Sequence, residues 1–140
     1  MNWEDFRTSL IVSKGAISAQ LITETLVPNL TAEGTTQRGI ELRSDDAQWS
    51  LSCDERHSRN IADQVKVVSG ILSSRAEAMR ELQNSGHALH IEISGTVETG
   101  AKLRLSPRAL AELSTLSLPV FFKTSVPTDL QEEDPLAWLD

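Results

Sequence analysis

Tyrosine is absent from this 140-residue chain, and aromatic residues make up only 4% of it. A stacking platform for single-stranded nucleic acid needs several aromatic faces, and so little aromatic material argues against one. There is a single cysteine, Cys53. It cannot close an internal disulfide, which agrees with a reducing compartment. No apolar run reaches the length that spans a bilayer. The acidic opening Met1-Asn-Trp-Glu-Asp-Phe6 lacks the apolar stretch of a signal peptide. The expectation is a cytoplasmic protein with no membrane partner.

A basic stripe is also missing. The net charge is −7, from 13 basic and 20 acidic residues. Residues 1–126 hold all 13 basic side chains and 15 acidic ones, so this body is nearly neutral. The remaining excess sits in Asp129, Glu132, Glu133, Asp134 and Asp140. A phosphate backbone requires the opposite sign, so nucleic acid is not an expected partner. A hydrophobic content of 39% and a charged content of 24% fit one globular domain with a real core. The division expected is a single domain over 1–126 and an acidic tail over 127–140.

Periodicity then gives the elements. Phe6, Thr8, Leu10 and Val12 share one side of a first strand that Gly15 ends. Ile17, Leu21, Ile22 and Leu26 recur at helical spacing from about Ser18 to Val27, and Pro28 closes that helix. Residues 29–46 read as a long loop, with room for a short strand over 39–43. In Gln48-Trp-Ser-Leu-Ser-Cys53, Trp49, Leu51 and Cys53 alternate with polar residues, placing all three in the core. Ile61, Val65, Val68 and Leu72 form a helical stripe that Gly70 and Ser73-Ser74 should stop. Ser74 and Glu77 then make a capping box for a second helix carrying Ala76, Met79 and Leu82 inward. Asn84-Ser-Gly86 is a C-terminal cap. Over 87–94, Leu89, Ile91 and Ile93 point in while His90, Glu92 and Ser94 point out. Lys102 to Leu105 alternates as a strand, and Ser106-Pro107 caps and starts a helix with Leu110, Leu113 and Leu116 as its apolar repeat. Pro119 ends it, and Val120-Phe-Phe122 begins a last strand. The order is β-α-β-α-α-β-β-α-β. The fold class is α+β: a single-layer, mostly antiparallel (mixed) sheet of 4–5 strands, with 3–4 helices packed on one face.

Three stretches carry a family resemblance: Trp49-Ser50-Leu51, Glu77-Ala-Met-Arg-Glu-Leu82 and Leu105-Ser-Pro-Arg-Ala-Leu-Ala-Glu-Leu113. In this order and spacing the chain resembles the bacterial domain of unknown function family DUF4279 over about residues 6–126. The matching residues are structural, so the resemblance implies a fold and no particular chemistry. Small acidic bacterial proteins of this kind resemble the immunity proteins that neutralise secreted toxins, which implies a protein partner by analogy. The acidic end after Pro127 departs from the family pattern.

Candidate chemistry is sparse. His87 and His90 are three apart in a strand, so they point to opposite faces and cannot share a metal. Cys and His spacing matches no zinc site, and no phosphate loop, nucleophile elbow or His-Glu-x-x-His helix is present. No catalytic residue, metal site or cofactor is therefore expected. The outward sheet face should present Arg7, Ser9, Ser50, Ser52, His90, Glu92, Lys102 and Arg104. Arg7, His90, Glu92 and Arg104 are its candidate ligand or partner residues. Trp138 joins them, because Leu136, Trp138 and Leu139 are unusual in a purely solvating acidic tail. These features fit a non-catalytic protein-interaction module, immunity-like or regulatory. The alternative is a small-ligand-binding or enzymatic domain using the polar sheet face. Oligomeric state is not legible in the sequence.

Overall fold

Alternation of apolar and polar side chains builds the centre of a five-stranded sheet. In the computed structural model, which describes residues 4–13, 15, 17–27, 39–98 and 100–125, β1 (Glu4–Ser13) is the middle strand. It pairs antiparallel with β3 (Gln48–Asp54) on one side and β4 (Leu89–Thr96) on the other. β2 (Ile40–Ser44) extends the sheet beyond β3, and β5 (Val120–Ser125) lies parallel to β4 at the far edge. The order across the sheet is β2-β3-β1-β4-β5.

Register places Leu10 opposite Leu51 and Ile91, and Val12 opposite Trp49 and Leu89. These residues form one buried face, and the apolar sides of all four helices join the same cluster. The helices are α1 (Ala19–Leu26), α2 (Ile61–Leu72), α3 (Ala76–Asn84) and α4 (Pro107–Thr115). Each start has a local cause except that of α3. Ser18, Asn60 and Ser106 each accept a hydrogen bond from a first-turn amide of α1, α2 and α4 respectively. Pro107 occupies the first turn of α4, where its missing N–H costs nothing. At the end of α3, Gly86 has φ 96°, and the amides of Gly86 and His87 donate to the carbonyls of Gln83 and Leu82. That is a Schellman termination.

A fully buried glutamine anchors the buried face. Gln64 is fully buried, yet every arm of its side chain is used. Its Oε1 accepts from Thr8 Oγ1 at 3.2 Å, and its Nε2 donates to the carbonyls of Ser58 at 2.9 Å and Phe6 at 3.3 Å. The network fixes the start of α2 against β1. Gln64 sits three residues after Ile61 and four before Val68, inside the apolar stripe.

Several sequence expectations change. Residues 102–105 form no strand; only Lys102 makes an isolated bridge. Both edges of β4 are already taken by β1 and β5, so this segment instead crosses to α4. Leu103 and Leu105 still pack on the core. The short strand of the 29–46 loop is real and becomes β2, while residues 28–38 lie outside the described residues. The observed order is thus β-α-β-β-α-α-β-α-β. α2 ends at Leu72, directly before the Ser73-Ser74 pair expected to stop it, and runs through Gly70 because the burial of Val65, Val68 and Leu72 outweighs a glycine cost of about 1 kcal/mol. The Ser74 capping box does not form. Arg75 precedes α3 without a side-chain cap, since a 3₁₀ turn over Ser73–Arg75 carries the backbone directly from α2. In α4 the buried positions are Ala109 and Leu113, with Leu116 just after, and Leu110 is exposed.

Candidate functional site

The second face of the sheet carries no helix-facing apolar stripe, and its chemistry is set by strand register. At its centre Ser9 lies opposite Ser52 on β3 and Glu92 on β4. The Ser9 and Ser52 hydroxyls are 2.9 Å apart and bond to each other. Arg7 lies opposite Ser94, and Ile11 opposite Ser50 and His90. Arg43 on β2 lies opposite Ser50, and Lys123 on β5 opposite Ser94. Together they bound a shallow concavity of about 320 Å³, floored by hydroxyls and rimmed by Arg7, Arg43 and Lys123, with Glu92 among them. Ile11 is the apolar exception. It is only 7% exposed and lies outside the main core cluster.

One end of this face is held by ion pairs. Arg56 bonds the Asp54 carboxylate, with Nη2 to Oδ2 at 2.7 Å, and also reaches Glu41. Arg43 adds a second contact to Glu41 at 2.8 Å. The Arg56 hydrogen bonds hold both carboxyls below their ordinary range, and the two carboxylates in turn raise the guanidinium. At the other end His90 is half-buried, stacked on Phe121 with ring centroids 4.4 Å apart and an interplanar angle of 23°. Phe121 and its neighbour Phe122 are 53% and 54% exposed, although they point to opposite faces of β5.

Arg7, His90 and Glu92 therefore share the face expected of them, together with Ser9, Ser50 and Ser52. Arg104 and Lys102 do not, because the strand that would have placed them there does not form. They line a separate cleft of about 410 Å³ with Glu4, Phe6, Arg59 and Ile61. Trp138 lies outside the described residues. Sequence reading missed Ile11, Arg43 and Lys123. Arg43 was legible from its alternation with Leu42 in the short strand. Lys123 depended on the β4–β5 register, which no local pattern reveals.

Several of the reactive side-chain types in the domain are already engaged. Ser9 and Ser52 are committed to each other, and the His87 ring Nδ1 lies 2.7 Å from the Ser13 carbonyl oxygen. Burial, helped by the charge of Asp54, pushes the Cys53 thiol up to about 11, away from thiolate chemistry. Among the described residues no three His, Cys, Asp or Glu side chains are grouped to hold a metal ion, and no helix is long and apolar enough to cross a membrane.

No curated protein and no solved structure matches the chain. A family model described as Domain of unknown function (DUF4279) matches residues 5–127, a stretch that takes in all five strands but the first residue of β1, all four helices, the serine-floored face and the exposed edge. On that extent, the chain belongs to the DUF4279 family of domains.

Proposed function

We propose that this domain is a non-catalytic protein-interaction module, immunity-like or regulatory, that takes an extended segment of a protein partner along β5. The observation that carries this reading is the state of that edge. β5 is the outermost strand, its outer side pairs with no described strand, and it holds two exposed phenylalanines in a row. Natural edge strands are usually shortened, charged or covered, because unpaired amides and carbonyls recruit other chains. An added strand would pair with the outward groups of Thr124 and cover the exposed ring of Phe121, which is strand-addition recognition.

The hydrogen-bond pattern supplies a test. Ile91 N–H donates to the Pro119 carbonyl and Val97 N–H to the Ser125 carbonyl. Odd-numbered residues of β5 therefore bond inward to β4, and the amide of Thr124 faces outward. Thr124→Pro removes an outward donor and no inward one, a position where proline is tolerated in an edge strand. Affinity isolation from the native host, comparing wild type with Thr124→Pro and Phe121→Ser, should recover a protein that both variants lose while keeping their fold. Recovery of no protein, or equal recovery by all three, would remove the reading.

A further inference from the structure

We propose that the cleft beside the first turn of α2 is a binding site for a small organic anion with an apolar body, such as a phosphate monoester or carboxylate. It lies away from the β5 edge and does not depend on that edge binding a partner. The cleft has a volume of about 410 Å³, within the usual range for small-molecule sites. Its walls divide by chemistry. Phe6, Ile61 and Leu103 supply apolar surface, and Lys102, Arg104 and Arg59 supply positive charge. The acidic residues do not cancel that charge. Glu55 is already occupied, accepting from the Phe6 amide at 3.1 Å and facing Arg59 at 3.7 Å. Only Glu4 remains to oppose Lys102 and Arg104, and neither of these cations has a hydrogen bond or ion pair among the described residues.

Backbone shape contributes to the same place. The β1–β4 register shifts between Glu4 and Arg7, and Asp5 within that bulge has φ 54°, in the left-handed region. Bulges re-aim side chains, and the residues on either side of Asp5 are the two β1 residues that line the cleft. On the opposite wall, the 102–104 segment is free of sheet pairing beyond one bridge, so Lys102 and Arg104 flank the half-buried Leu103. A guanidinium and an ammonium on either side of an apolar floor match an anionic head joined to a hydrocarbon body. Arg104 can grip a phosphate or carboxylate by two parallel N–H bonds.

Titration of the full chain with phenyl phosphate, followed by backbone amide NMR, tests the site. Millimolar or tighter binding is expected, with shifts at Phe6, Ile61 and Leu103. Lys102→Ala and Arg104→Ala are each expected to weaken it by about tenfold, while Arg7→Ala on the sheet face leaves it unchanged. Both cleft side chains are exposed and make no hydrogen bond or ion pair among the described residues, so the variants should keep the wild-type melting temperature. Benzoate binding at the same residues would support the site and show that the head is read by charge. Inorganic phosphate binding as tightly as phenyl phosphate would overturn the role of the apolar floor. Absence of binding by both organic anions, or binding indifferent to Lys102 and Arg104, would overturn the site itself.

Discussion

Trp49 shows what a single residue contributes when both its apolar body and its polar tip are satisfied. The ring is 1% exposed in the core, and its Nε1 donates to Thr23 Oγ1 at 2.9 Å, tying β3 to α1. Trp49→Ala should lower stability by about 3–5 kcal/mol, the usual loss for a large aromatic deletion in a core. Trp49→Phe should cost less, with the lost hydrogen bond accounting for about 1 kcal/mol. Chemical denaturation of the two variants separates packing from bonding, and an unchanged midpoint for the alanine variant would refute the burial. Cys53 makes the complementary case. It is fully buried, and its thiol is pushed up to about 11. Alkylation of the native protein at neutral pH should therefore be far slower than after unfolding. Equal rates in the two states would mean that the strand opens readily.

Elements meet most tightly where β2 joins the turn after β3. Gly39 has φ 86°, and a Cβ there would overlap the His57 amide and lie 2.8 Å from the His57 Cβ. Gly39→Ala combines backbone strain with overpacking against backbone, so a loss of at least about 1–3 kcal/mol is expected in a thermal or urea melt. The same corner carries the Arg56 pairs with Asp54 and Glu41. Both carboxyls are held below their ordinary range, so their folded pKa values lie below the unfolded ones. The stabilisation is present above the ordinary carboxylate range and is lost as pH falls through and below it. Arg56→Gln should leave a shallower fall in melting temperature between about pH 5 and pH 3 than wild type shows. The effect should be modest, because the pairs are partly solvated and salt screens them. An acid limb as steep as wild type would show that other groups control it.

At the scale of the molecule, one helix-covered face stores the stability and the remaining surfaces are polar or edge-exposed. The helices bury the Leu10, Leu51 and Ile91 side, while hydroxyls, cations and the β5 edge occupy the other side and rim. β5 ends at Ser125 and the family match at residue 127. The acidic residues after that point are expected to be dispensable for folding. A chain ended after Pro127 should melt within about 0.5 kcal/mol of the full chain, as for surface changes. It should also be less soluble, because five acidic residues are removed from a nearly neutral body. A clear loss of stability, together with a blue-shifted Trp138 emission in the full chain, would instead show that the tail docks on the body.

Much of this was legible in the sequence because local period and sheet face are the same information. The alternations around Leu10, Trp49 and Ile91 determined three strands, their buried sides and the company of Arg7, His90 and Glu92 on the other side. The Ser106-Pro107 and Gly86 signals likewise marked helix ends, since capping is settled within a few residues. Tertiary structure decided what depends on partners. Lys102 to Leu105 has the pattern of a strand, but both sides of β4 are taken by β1 and β5, so Arg104 left the sheet face for a separate cleft. Gly70 remained helical because distant side chains buried Val68 and Leu72. Lys123 and Phe121 reached His90 and Glu92 only through parallel pairing across α4. A side chain's period is written locally, whereas a strand's neighbour is chosen by the competition of every segment for the same backbone groups.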